Sequence, residues 1–205
     1  MDLVEEIVPL RDREVAVLRP RDSESLLDEE AFERDERMPY WAELWPSGVE
    51  LARLVSARSL RGARVVELGC GGIALPSIAA ALAGARVLAT DWSEEALELA
   101  VRNAERNGAS IAVEVCAWER PDALLARAPF DLVLAADVLY ERRNVPLLLD
   151  LLPRLSDSIW LADPNRPPLP DFLAGLAARD VEVRSSGAAE PPRVGIHRLR
   201  VAAER

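Results

Sequence analysis

The stretch Arg64-Val65-Val66-Glu67-Leu68-Gly69-Cys70-Gly71-Gly72-Ile73-Ala74 decides the fold of this 205-residue chain. Its first five residues read as a buried strand. The glycines after them permit a tight turn in which backbone N–H groups can approach a ligand. Leu75 to Leu82 then reads as a helix and Ala85 to Thr90 as a second strand, completing a βαβ unit, which makes a parallel pair. The alternation continues. Ser93 caps a helix from Glu94 to Arg106, with Glu94 and Glu95 in its first turn and Asn107-Gly108 stopping it. Ile111–Val115, Phe130–Ala135 and Ser158–Ala162 are the third, fourth and fifth strands, with a helix at Val145–Leu152. Leu169–Ala178 is a further helix, and Val181–Arg184 and Ile196–Val201 are closing strands. Ser185-Ser186-Gly187 and Pro191-Pro192 separate that last pair, which predicts an antiparallel hairpin at the sheet edge.

The expected fold is therefore α/β: a Rossmann-like, doubly wound, seven-stranded and mainly parallel sheet with an antiparallel C-terminal hairpin and a short N-terminal extension. Residues 1–45 form that extension and residues 46–205 the domain. Within the extension, Val4–Leu18 reads as a hairpin turning at Arg11-Asp12-Arg13, and Asp22–Arg37 as a charge-dense solvated helix or loop. Pro39-Tyr40-Trp41-Ala42-Glu43-Leu44-Trp45-Pro46-Ser47-Gly48 follows, and a helix from Gly48 to Ala57 leads into the first strand. The extension reads as lid-like, a substrate-side addition.

Composition excludes several classes. Two cysteines make no disulfide framework, and one histidine, His197, leaves no Cys/His zinc cluster. The formal charge of −10 disfavours a nucleic-acid partner, because phosphate binding needs a basic surface. No apolar run reaches the roughly 18 residues of a membrane span, and the first residues lack the basic start of a signal peptide, so the cytoplasm is the expected compartment. All 25 basic residues are arginine.

The glycine turn fits the dinucleotide pattern G-x-G-x-x-A, so the glycines alone leave a nicotinamide cofactor open. Two carboxylates shift the reading. Glu67 ends a buried strand, where an unpaired charge is costly and a cationic or donor partner is needed. Asp91 ends the second strand, where its carboxylate can accept both hydroxyls of a ribose. Adenosine plus a cationic head group describes S-adenosylmethionine better than NAD, whose pyrophosphate needs no acid beside it.

With Glu67-Leu68-Gly69-Cys70-Gly71, the strand ending in Asp91 and the seven-strand order, the chain resembles the class I methyltransferases over residues 39 to 201. Pro39-Tyr40-Trp41-Ala42 through Gly48, Ala136-Asp137-Val138-Leu139-Tyr140-Glu141 and Asp163-Pro164-Asn165-Arg166 resemble the family 16 protein-lysine methyltransferases, most of all the electron transfer flavoprotein β-subunit enzymes and their bacterial relatives. Ribosomal protein L11 methyltransferases are more distantly similar. The resemblance implies Glu67, Gly69, Cys70 and Gly71 at the methionine end of S-adenosylmethionine, Asp91 on its ribose, Trp92 and Trp118 flanking the adenine, and Trp45 near the methionine portion. Ile73 departs from the family's third glycine, with Gly72 one position early. Ala117 stands where relatives often have an acid.

A lysine acceptor is mostly ammonium at its ordinary pKa near 10.4 and has to lose a proton before it attacks. Asp137, after the fourth strand, is the candidate carboxylate that gathers and orients the amine, with Tyr140 beside it as the second catalytic candidate. The rings of Tyr40, Trp41 and Tyr140 can face a cation. The base-methylating motif Asn/Asp-Pro-Pro-Tyr/Phe is absent at this place, which reads Asp137-Val138-Leu139-Tyr140. The expected activity is N-methylation of a lysine in a protein partner, an electron transfer flavoprotein or a ribosomal protein being the implied kinds. A small-molecule methyltransferase, an NAD-binding oxidoreductase and a non-catalytic cofactor-binding module are the alternatives. No metal is expected.

Overall fold

The computed structural model describes residues 1–22, 39–187 and 193–202. The charged stretch predicted at Asp22–Arg37, beyond Asp22 itself, and the Pro191-Pro192 turn lie outside the described residues. The elements are β1 (Leu3–Pro9), β2 (Glu14–Pro20), a 3-10 turn at Tyr40–Ala42, α1 (Pro46–Ser56), β3 (Arg64–Leu68), α2 (Leu75–Leu82), β4 (Arg86–Asp91) and α3 (Glu94–Arg106). They continue as β5 (Ala112–Val115), a single turn α4 (Asp122–Leu125), β6 (Leu132–Ala136), α5 (Asn144–Leu155), β7 (Ser158–Asp163), α6 (Leu169–Ala177), β8 (Glu182–Gly187) and β9 (Gly195–Arg200).

One seven-stranded sheet has the order β5-β4-β3-β6-β7-β9-β8, with β1 and β2 paired separately. The order reverses direction between β3 and β6, so a crevice opens at the carboxyl ends of β3, β4 and β6, where ligands bind in such sheets. The central strands read as continuous apolar runs because helices cover both faces. Leu51, Ala52 and Val55 of α1 and Ile78 and Ala79 of α2 pack on one face. Leu148, Leu151, Leu152 and Leu155 of α5 and Phe172 and Leu176 of α6 pack on the other.

Two expectations change. β9 pairs antiparallel with both β7 and β8, so the strand carrying His197 is interior and β8 forms the edge. The chain crosses from α6 to the far side first and then returns into the gap, an order that strand patterning does not encode. Buried His197 meets the Ser185 hydroxyl on β8 through Nδ1 at 2.8 Å. Helix α5 also runs past the predicted stop at Leu152 and through Pro153. The ring removes one intrahelical hydrogen bond, but Leu155 is fully buried and holds the last turn in place.

The β1–β2 hairpin is fastened to α3 by two asparagines. Asn103 accepts from the Leu18 N–H at 2.6 Å and donates to the Leu18 carbonyl at 2.9 Å. Asn107 does the same with Ala16, at 2.9 and 2.8 Å. Each side-chain amide imitates a neighbouring strand for β2. Val8, Val15 and Val17 of the hairpin are buried with the α1 and α2 side chains.

Candidate active site

The turn after β3 shapes one wall. Gly69 and Gly71 have φ of +63° and +60°, a region open to glycine at little cost. Space is limiting as well: a Cβ at Gly69 would lie 3.3 Å from the Trp118 ring and one at Gly71 3.0 Å from the Trp41 carbonyl oxygen. Gly72 meets a need for close packing. Its N–H donates to the Trp41 carbonyl at 2.8 Å, and a Cβ there would lie 2.8 Å from a Leu99 methyl. The third left-handed position falls on Ala74, φ +46°, so Ile73 is free to be a buried core residue.

The two strand-end acids are fixed by backbone donors. Asp91 accepts from the Gly71 N–H at 3.0 Å through Oδ2 and from the Ser93 N–H at 3.1 Å through Oδ1. A carboxylate has about four acceptor sites, more than these two donors use. Glu67 accepts from the Ser77 N–H at 2.8 Å, in the first turn of α2, which is the donor its buried position requires. Burial nevertheless pushes the Glu67 carboxyl up to about 8; Ser77 opposes the shift and the charge of Asp91 adds to it. Burial likewise pushes the Cys70 thiol well up and the Cys116 thiol up to about 11, which leaves neither as a ready nucleophile.

The opposite wall is built from three segments. Asp137 follows β6 at φ +58°, buried, with its N–H on the Ala162 carbonyl at 3.0 Å. Arg166 Nε and Nη2 both reach Asp137 Oδ1 at 2.7 Å. The Arg166 guanidinium also lies 5.4 Å from the Trp45 ring centre. Tyr40 stands 5.4 Å from Tyr140 and 6.2 Å from Trp45, ring centre to ring centre, and the Trp45 indole N–H donates to the Tyr40 carbonyl at 2.9 Å. Burial, followed by the charges of Glu141 and Asp91, pushes the Tyr140 hydroxyl up to about 12, so it stays protonated at neutral pH.

Every predicted site residue, from Trp45 and Glu67 to Asp137 and Tyr140, borders one cavity of about 210 Å³. Trp41 borders it too, but its side chain is buried against Ala42, Ala96 and Leu99 and so is chiefly a packing residue. Trp160 lies away from this cavity, half-buried against the core beneath Arg198. Two bordering residues were missed. Glu119 lies two positions beyond Ala117 and supplies an acid there. The other is Arg166, the partner of Asp137 inside the cavity; the nearest signal in the sequence is Asp163, whose Oδ1 accepts the Arg166 N–H at 2.7 Å.

A family model described as lysine methyltransferase matches residues 30–160. The chain belongs to this family. Protein N-lysine methyltransferase METTL21A of Danio rerio is 37% identical over 127 residues, 58% of this chain and 57% of that protein. The electron transfer flavoprotein beta subunit lysine methyltransferase of Xenopus laevis is 34% identical over 137 residues, 62% and 53% of the two chains. Histone-arginine methyltransferase METTL23 of Xenopus laevis is 35% identical over 112 residues, 51% and 47%. The chain thus spans about half the length of these curated relatives. Magnesium protoporphyrin IX methyltransferase from Synechocystis, solved with S-adenosylhomocysteine bound, shares the fold at a TM-score of 0.59 and 21% identity, covering 76% of this chain and 81% of that one. S-adenosylmethionine is the cofactor that membership of this family implies. The residues present fit that cofactor: a Cβ at Gly69 or Gly71 would crowd the cradle, a fixed carboxylate ends β4, and Glu67 sets a second carboxyl on the same cavity.

Proposed function

We propose that this enzyme methylates a lysine side-chain nitrogen of a protein substrate. The observation that carries the reading is the buried carboxyl of Asp137 in the cavity walled by Tyr40, Trp45 and Tyr140, an acceptor placed to hydrogen-bond the nitrogen of a flexible side chain. The family and the lysine methyltransferases among the relatives support it. When bound, S-adenosylmethionine supplies an electrophilic methyl on a sulfonium sulfur, and the protein's task is to align the acceptor and exclude water.

In this reading the backbone of Gly69, Cys70 and Gly71 and the Glu67 carboxyl hold the methionine portion. Asp91 holds the ribose hydroxyls. Trp92 and Trp118 flank the adenine, and Trp45 lies at the methyl-bearing end. Asp137 orients the acceptor, and Tyr140 borders it as a neutral hydroxyl and ring. Residues 46–205 form the catalytic domain. Of residues 1–45, the β1–β2 hairpin braces α3, and Tyr40 and Trp45 wall the acceptor end. The partner is a protein with an accessible lysine in a basic segment, which a surface of net charge −10 attracts; an electron transfer flavoprotein or a ribosomal protein meets that description.

Labelled methyl cofactor incubated with the enzyme and lysate should place label in protein as methyl-lysine, identified by mass spectrometry. Label confined to low-mass compounds or to arginine would overturn the assignment. The enzyme is its own control, because it contains no lysine side chain to accept label. Asp137→Ala should keep cofactor affinity within about threefold and abolish transfer, since the carboxyl of Asp137 is bonded to Arg166 and not to the glycine turn.

A further inference from the structure

We propose that Asp137 and Arg166 together form an electrically neutral acceptor seat that takes the lysine as a free amine, its proton left in water before the side chain enters. This rests on the lysine reading above and specifies how that site handles charge. A carboxylate alone would work against the reaction. An opposite charge within about 4–6 Å favours the ammonium form, and an ammonium has no lone pair with which to attack.

Arg166 removes that difficulty. Two of its guanidinium nitrogens, Nε and Nη2, converge on one oxygen, Asp137 Oδ1, at 2.7 Å, so the carboxylate is charge-balanced while Oδ2 is left to accept a hydrogen bond from a neutral amine. The arginine is built to stay there. Its own N–H is held by Asp163 Oδ1 at 2.7 Å, Asn165 before it adopts φ +65°, and its guanidinium rests over Trp45 at 5.4 Å. Its side chain is 27% exposed against 7% for Asp137, unlike a surface pair that water would screen.

The neighbouring groups do not undo the balance. After β6, Glu141 is paired with Arg143, and the Tyr140 hydroxyl is neutral. After β7, Asp163 is turned to the Arg166 backbone N–H, and burial raises its carboxyl from the ordinary value. Glu43 borders the cavity from the N-terminal segment, and Glu67 and Asp91 from the cofactor side; none of these is bonded to Asp137. In the transfer, the amine lone pair forms the new N–C bond as the C–S bond breaks. That bond's electrons stay on sulfur to give S-adenosylhomocysteine, and the product ammonium later loses its proton to water.

The test uses n-butylammonium, a stand-in for the end of a lysine side chain, titrated into the full chain with S-adenosylhomocysteine and followed by tryptophan fluorescence. At pH 7, Arg166→Gln and Arg166→Met should each bind this cation at least about tenfold more tightly than wild type, and the gain should vanish when Asp137→Asn is added. Arg166→Met keeps an apolar stem over Trp45 should Arg166→Gln fold poorly. On a peptide carrying the methylated lysine, both variants should lower KM and lower kcat, with the rise of kcat moved about one pH unit upward. Butylammonium binding no tighter than in wild type, or a raised KM with an unmoved pH profile, overturns the neutral seat. Failure of the lysine reading itself would appear elsewhere, as wild-type enzyme yielding no methyl-lysine.

Discussion

Substituting Glu67 by Gln separates stability from cofactor binding through a single proton. The Glu67 carboxyl is held at about 8 in the folded chain against an ordinary 4.5. The sign follows from a folded-state value above the unfolded one: the neutral form is favoured in the fold. The stability it contributes is fully present below about pH 4.5 and is lost progressively as pH rises to about 8. At pH 7 the accumulated loss is roughly 3 kcal/mol, from about 1.4 kcal/mol per pH unit. Glu67→Gln keeps an acceptor for the Ser77 N–H but has nothing to ionise. Urea unfolding of the cofactor-free proteins should therefore show the variant gaining on wild type by roughly 3 kcal/mol between pH 4.5 and 7. Cofactor binding should run the other way. A cationic head group beside Glu67 drives its ionisation, so wild type should release roughly nine-tenths of a proton on binding at pH 7, the fraction protonated for a group near 8. Calorimetry in buffers of different ionisation enthalpy reads that number, and Glu67→Gln should release none. A difference in stability that does not vary with pH, or wild-type binding heats that do not vary with buffer, would refute the reasoning.

Asp91→Ala should weaken cofactor affinity by roughly 100-fold or more, because two hydrogen bonds to a charged acceptor at about 1.5–3 kcal/mol each are lost; a change below tenfold by calorimetry would remove the ribose role. Asn103→Leu should destabilise the fold by about 3 kcal/mol, since Asn103 is fully buried and serves Leu18 twice and the Gly72 carbonyl once, at 2.8 Å. That corresponds to a thermal midpoint roughly 6–12 °C lower, and a shift under about 2 °C would mean that the hairpin is held by packing alone.

What was legible in the sequence is what depends on neighbours along the chain. β3, its glycine turn and α2 follow from apolar periodicity and from glycine's tolerance of positive φ. Asp91 and Glu67 could be singled out because a carboxylate at the end of a buried parallel strand has few structural reasons to be there. The relations that escaped are those between segments far apart in number. Asp137 and Arg166 are separated by two elements, and only the sheet order that sets β7 beside β6 brings their loops together. Asn103 looks like an ordinary polar residue of an amphipathic helix, and its role exists only once β2 lies alongside. Ile73 looked like a defect in a glycine motif, but the left-handed turn falls at Ala74, a choice made by the packing of Trp41 and Leu99 around Gly72.

The absence of lysine acquires a physical meaning at Arg166. A cation is needed beside Asp137 if the seat is to be neutral, and both basic side chains would supply the charge. Lysine would supply more than charge. Its ammonium titrates when buried, and once deprotonated it is a primary amine, the nucleophile that the proposed reaction methylates. Arginine remains protonated at any pH at which the protein is folded, presents only donors, and binds a carboxylate oxygen through two nitrogens at once. At this position the guanidinium therefore sets the charge without competing for the methyl group, a distinction in chemistry that the count of basic residues does not reveal.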